Sequence, residues 1–133
     1  MPASTPPSLS DADRATYLRH LVLPEVGEVG QRVLLASSRR AEGDPRAASA
    51  AQSYLDRSGI RSGGQQVSVG DPRQLARLAG GAELEGAAAL LLGAFAAVEE
   101  IKSILKIGRP GVLQSDLSLR SAPSMTEPPK EPR

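Results

Sequence analysis

Leu84-Glu85-Gly86-Ala87-Ala88-Ala89-Leu90-Leu91-Leu92-Gly93-Ala94-Phe95-Ala96-Ala97-Val98-Glu99-Glu100-Ile101-Lys102-Ser103-Ile104-Leu105-Lys106-Ile107 reads as one long helix. Leu84, Leu91, Val98 and Leu105 recur every seven residues, with Ala88, Phe95 and Ile101 or Lys102 between them. That spacing gathers apolar side chains along one face of an α-helix. Leu90 and Leu92 widen the row, so the helix is expected to be apolar on more than one side. Gly108 and Pro110 mark its end. The longest apolar run inside it, Ala87 to Val98, is too short to span a bilayer, which takes about 20 residues.

Working outward from this helix, the punctuation of the chain predicts further short helices. Ser10 with Asp13 makes a capping-box start for a helix from Asp11 to about Leu23, stopped by Pro24. Gly27 to Ala36 allows a second, carrying Val33, Leu34 and Leu35. Asp44-Pro45 pairs an N-cap with proline at the first helical position and predicts a helix over Ala47 to Arg57, with Gly59 as its stop. Asp71-Pro72 repeats that logic for a helix to Ala79, ended by Gly80-Gly81. Gln65 to Val69 is a weak strand candidate, and Val112 to Leu119 a possible terminal strand. Residues 1–9 and the proline-rich residues 121–133 read as a disordered lead and tail around one domain spanning 10–120.

Composition limits the chemistry. With 133 residues the chain is one small domain. Phe95 is the only Phe, Tyr17 and Tyr54 the only Tyr, and Trp is absent, so the core must be built from Ala, Leu and Val. Lys plus Arg total 16 against 15 Asp plus Glu, which gives no case for nucleic acid or an anionic membrane as partner. The absence of cysteine removes disulfides, thiolate nucleophiles and thiolate zinc sites, and fits a reducing, cytoplasmic setting. Met1 to Ser10 has neither the basic nor the apolar region of a signal peptide. His20 is the only histidine, and a lone His does not make a metal site; a structural or interface role is the simpler reading.

A second stretch carries a family likeness. Tyr17-Leu18-Arg19-His20-Leu21-Val22-Leu23-Pro24-Glu25-Val26-Gly27-Glu28-Val29-Gly30-Gln31 resembles the opening of the ThiF/MoeB/HesA family, R-Y-S-R-x-I-L-L-P-E-I-G-E-E-G-Q. The likeness continues without a gap from Leu34 to Ile60 across the family's first strand, Gly-rich turn and helix, and Val67 to Asp71 looks like its second strand and terminal acid. It resumes at Glu85-Gly86 and Gly93 to Lys102, similar to the family's G-A-x-x-A-x-E-A-I-K helix. The centre of the family domain is skipped, and a typical member is nearly twice as long. The family adenylates the C-terminus of a ubiquitin-like or sulfur-carrier protein with ATP, on an α/β Rossmann-like domain.

The departures fall on working parts. The family's buried first strand is here Ser38-Arg39-Arg40-Ala41-Glu42, whose charges a central parallel strand is not expected to bury. Of the Gly-rich turn only Gly43 is kept, Pro45 and Ala48 standing where further glycines belong. The N-x-x-R-Q segment, the D-x-x-D-N aspartate and the zinc-binding C-x-x-C pairs have no counterpart. By resemblance, Gly43, Arg46 and Asp71 are the remaining candidates for ATP contact, with Mg²⁺, and Arg19 matches a residue that acts like an arginine finger on a neighbouring subunit's ATP. The structural alternatives are a capping role for Asp71 and, for Arg19, an ion pair with Glu25 or Glu28. Glu99 with Lys102 reads as an exposed helical pair.

The expected fold is therefore mainly α with a few short strands, a cut-down remnant of a Rossmann-like activating-enzyme domain. The expected role is that of a pseudoenzyme with no cofactor of its own, pairing as a homodimer or with a full-length relative, since the resemblance places the Asp11–Ala36 and Leu84–Ile107 regions near the family's dimer contact. Residual ATP-dependent adenylation of a sulfur-carrier protein and a decayed gene product without function are the alternatives.

Overall fold

The computed structural model describes residues 8–108, so the candidate strand Val112 to Leu119 and the proline-rich tail lie outside the described residues. Within them the chain runs α1 (Asp11–Thr16), α2 (Leu18–Leu21), α3 (Gly27–Leu35), β1 (Ser38–Glu42), α4 (Pro45–Ser58), β2 (Arg61–Ser62), β3 (Gln65–Ser68), α5 (Pro72–Ala79), a 3₁₀ turn (Ala82–Leu84) and α6 (Glu85–Leu105). The fold is mainly helical with one small parallel sheet, ordered β2-β1-β3.

Local chemistry accounts for most of the boundaries. The Ser10 Oγ accepts from Asp13 N and the Asp13 carboxylate accepts from Ser10 N, a complete capping box. The single helix expected from Asp11 to Leu23 is instead broken at Tyr17, whose ring stacks on His20. Packing also begins ahead of Ser10, since Leu9 is buried. Gly59 ends α4 in the left-handed region at φ +99°, and Ile60 N reaches back to Leu55 O, closing the helix end. The last helix stops at Lys106, in left-handed conformation, two residues short of Gly108.

The largest helix contact is α4 against α6, and its centre is Gly93. A Cβ there would run into the Ala47 carbonyl and lie 2.7 Å from the Ala50 Cβ and 2.9 Å from the Ala51 backbone nitrogen. Around this point the buried residues are small or aliphatic: Ala47, Ala51 and Leu55 from α4, Ala89, Leu92 and Ala97 from α6. An aromatic-poor core can still be tightly packed because the two backbones approach closely enough for alanine to fill the gap.

Contrary to expectation, Ser38–Glu42 is the central strand. Its register pairs Ser38 and Arg39 with Arg61 and Ser62 on one side, and Arg39 to Glu42 with Gln65 to Ser68 on the other. Gly63 and Gly64, both at positive φ, take the chain from one edge to the other. The charges are tolerated because one sheet face, with Ala41, Val67 and Val69, meets the helices while Arg40, Gln66 and Ser68 on the other are exposed among the described residues. Arg40 pairs with Glu42 on that open face. Arg39 points to the helix side, where its Nε lies 2.6 Å from Glu100 Oε1, both side chains being about one-fifth exposed (19% and 23%). Where β2 runs out, the Gln52 side chain completes the edge, its Oε1 accepting from Ala41 N at 3.1 Å and its Nε2 donating to Arg39 O at 3.4 Å.

Gly93→Ala tests the α4–α6 contact. Alanine is about 1 kcal/mol better than glycine in a helix interior, yet overpacking costs about 1–3 kcal/mol. The expected outcome is a net loss of stability in urea denaturation, in contrast to Gly86→Ala in the same helix, where a Cβ meets nothing within 4 Å.

Candidate functional site

Parallel strands place the ends of their chains side by side, so crevices form beyond their carboxyl ends, where following helices begin. Here the C-terminal ends of β1 and β3 deliver the N-termini of α4 and α5 to one cleft of about 500 Å³. Asp44, Pro45 and Arg46 line it from α4, and Val69, Gly70, Asp71 and Arg73 from the β3–α5 connection. Gly43 adjoins it. Three of the candidates separated in sequence, Gly43, Arg46 and Asp71, are thus neighbours in space.

Each of them is already engaged. The Asp44 carboxylate accepts from Arg46 N at 3.0 Å and Ala47 N at 3.2 Å, Ala48 N donates to Asp44 O, and Pro45 has no N–H. The first turn of α4 therefore holds no N–H free to meet a phosphate, and its positive end carries a carboxylate. Gly43, at φ +135°, sits where a Cβ would be 2.7 Å from Val69 Cγ2 and 3.1 Å from Val69 O, so its missing side chain makes room for Val69, the residue after β3. The Arg46 guanidinium bonds Glu85 at 3.0 Å and lies 3.8 Å from Asp44. Arg73 lies 3.3 Å from Asp71.

Asp71 caps α5 by accepting from Arg73 N at 2.9 Å. That backbone bond, assisted by the Arg73 side chain, holds its carboxyl below the ordinary value of 3.8. Two carboxylates, Asp44 and Asp71, and two arginines, Arg46 and Arg73, line this cleft, and an anion at the start of α4 would have to displace the Asp44 carboxylate from the Arg46 and Ala47 N–H groups. Among the described residues no group of three His, Cys, Asp or Glu is placed to hold a metal ion, and no helix is long and apolar enough to cross a membrane.

Arg19 lies elsewhere. It is exposed on α2, no residue of which lines the cleft. Glu28, one of its expected partners, is bonded through both carboxylate oxygens to Arg14, at 2.7 and 3.2 Å. Its neighbours in the Tyr17–Gln31 stretch are structural. Gln31 is fully buried and donates from Nε2 to Ser58 O at 2.9 Å, which leaves its Oε1 to accept from His20 Nδ1 at 2.9 Å. This relay ties α2 and α3 to the end of α4, and Gly59 admits it, since a Cβ there would lie 2.9 Å from Gln31 Nε2. The Glu99–Lys102 pair is partly buried, not exposed as expected, with Lys102 Nζ 3.0 Å from both Glu99 oxygens.

One feature was not apparent in the sequence, a groove of about 410 Å³ between α3 and the end of α6, lined by Val26, Val29, Gly30, Val33, Ile104 and Leu105 with the charged Glu25 and Lys106. The expectation that α6 is apolar on more than one side is met by Leu90, Leu91 and Val98, which stay exposed. No family model matches this chain, and no curated protein or solved structure does.

Two measurements check these assignments. Gln31→Leu leaves the Ser58 carbonyl buried without its donor, and a loss of about 1–3 kcal/mol is expected in chemical denaturation. Asp71→Asn keeps a capping oxygen but removes the charge. Because the folded carboxyl titrates below its unfolded value, the charge stabilises the fold above the ordinary carboxylate range, and that stability is lost as pH falls through the folded value. The difference in Tm between the parent and Asp71→Asn should be present near neutrality and close below about pH 4.

Proposed function

We propose that this chain is a truncated, degenerate relative of the ThiF/MoeB/HesA adenylyltransferases that works as a non-catalytic interaction module. Its partner is a second copy or a full-length relative acting on a ubiquitin-like or sulfur-carrier protein. The observation that carries this reading is the closed start of α4, where Asp44 and Pro45 leave no N–H for a phosphate. Nucleotidyl transfer depends on positioning and on neutralising phosphate charge, and a self-capped helix beside paired arginines supplies neither. The placement of β1, α4 and β3 supports the family likeness, and the exposure of Arg19 on α2 leaves it accessible to a partner's site.

A second reading, residual ATP binding, draws on one observation: Gly43, Arg46 and Asp71 meet at one cleft. Titration calorimetry with ATP and Mg²⁺, and ATP–pyrophosphate exchange with carrier proteins ending in Gly-Gly, separate the two. No binding heat and no exchange are expected; carrier-dependent exchange by the purified chain would overturn the pseudoenzyme reading.

A further inference from the structure

The groove between α3 and the end of α6 exists because one side chain is missing. Gly30 is buried there, and a Cβ on it would lie 3.2 Å from Leu105 Cδ2 and 3.3 Å from Val26 Cγ1. Val26, Val29 and Val33 line the groove on the α3 side, Ile104 and Leu105 on the α6 side. Val29 is 73% exposed, the highest value among the exposed large hydrophobic side chains of the described residues. Covering it would remove apolar surface from water.

The way the chain leaves α6 points to what covers it. Ile107 N donates to Lys102 O and Lys106 N to Ser103 O, the two bonds of a Schellman turn. Lys106 and Gly108 are both left-handed, at φ +57° and +59°. The chain is thus turned off the helix axis beside a groove that Ile104, Leu105 and Lys106 themselves line. Arg109-Pro110-Gly111-Val112-Leu113 follows, and Val112 and Leu113 are the first large apolar residues beyond the described ones. At about 3.3 Å per residue they reach roughly 13–17 Å past Gly108, more than the roughly 8–10 Å between packed helix axes. Their tether gives them a local concentration of about millimolar, which a separate chain would have to exceed. The charges agree as well. Glu25 and Lys106 stand at the groove and form no ion pair among the described residues, and the segment brings Arg109 and Asp116, one opposite charge for each.

We propose that the groove is an internal docking site, filled by Val112 and Leu113 of the same chain. The proposal stands apart from the adenylyltransferase likeness: it concerns what covers α3 and α6, whether or not the cleft binds nucleotide.

The chain has no cysteine, so single introduced thiols report on the full-length protein. The Val29→Cys thiol should react slowly with a neutral alkylating reagent. Adding Leu113→Asp should speed that reaction by about tenfold or more, since a carboxylate would have to be desolvated in the groove. Val98→Cys, on α6 but outside the groove, should react at the same rate with or without Leu113→Asp. Far-ultraviolet circular dichroism of Leu113→Asp should match the parent. Val98 is about 12 Å from Lys106 along the helix, within reach of an undocked segment. Val29→Cys with Leu113→Cys should therefore close an intramolecular disulfide, under mild oxidation, about tenfold faster than Val98→Cys with Leu113→Cys. Alkylation of Val29→Cys that ignores Leu113→Asp, or equal closure rates for the two pairs, would overturn the proposal. A Val29→Cys, Leu113→Cys disulfide that joins separate chains, at a rate rising with protein concentration, would assign the groove to a second copy and overturn it too.

Discussion

The rest of the molecule depends on the contact at Gly93, where α6 comes so close to α4 that a methyl group has no room. With one phenylalanine and no tryptophan, the chain cannot span a wide gap between helices with large side chains. It closes the gap by backbone approach, and Ala47, Ala51, Ala89 and Ala97 then suffice to fill it. The same contact orients α6 over β3 and holds Glu100 beside Arg39, so a charged strand becomes the middle of the sheet.

Using the small-residue side of α6 as the core has a consequence at the surface. The larger residues Leu90, Leu91 and Val98 are left facing outward. In a chain with a larger sheet they would have another layer to cover them; here the described residues provide none.

At the cleft, structure and chemistry compete for the same groups. Asp44 and Asp71 start their helices by occupying the backbone N–H groups that an anion would need. Pro45 and Pro72 favour those starts through their fixed φ and cannot donate. Arg46 and Arg73, the arginines that line the cleft, are paired with Glu85 at the start of α6 and with Asp71. The groups that start α4 and α5 are thus the same groups that line their shared mouth.

Read alone, the sequence determined most of the helices, though not the break at Tyr17 or the stop of α6 at Lys106. Capping side chains and proline at the first position act within a few residues and place α4 and α5, while α3 and α6, which no side chain caps, fall close to where the apolar spacing puts them. The meeting of Gly43, Arg46 and Asp71 was legible only through the family likeness. The tertiary structure decided the rest, because it depends on which distant groups become neighbours. Ser38–Glu42 reads as too charged for a central strand until Glu100 and one open face are supplied. Gln31 reads as an ordinary polar helix residue until Ser58 and His20 converge on it. The apolar row of α6 divides into a core side and an outward side only once Gly93 chooses which side α4 meets, a choice made by steric fit between backbones far apart in sequence.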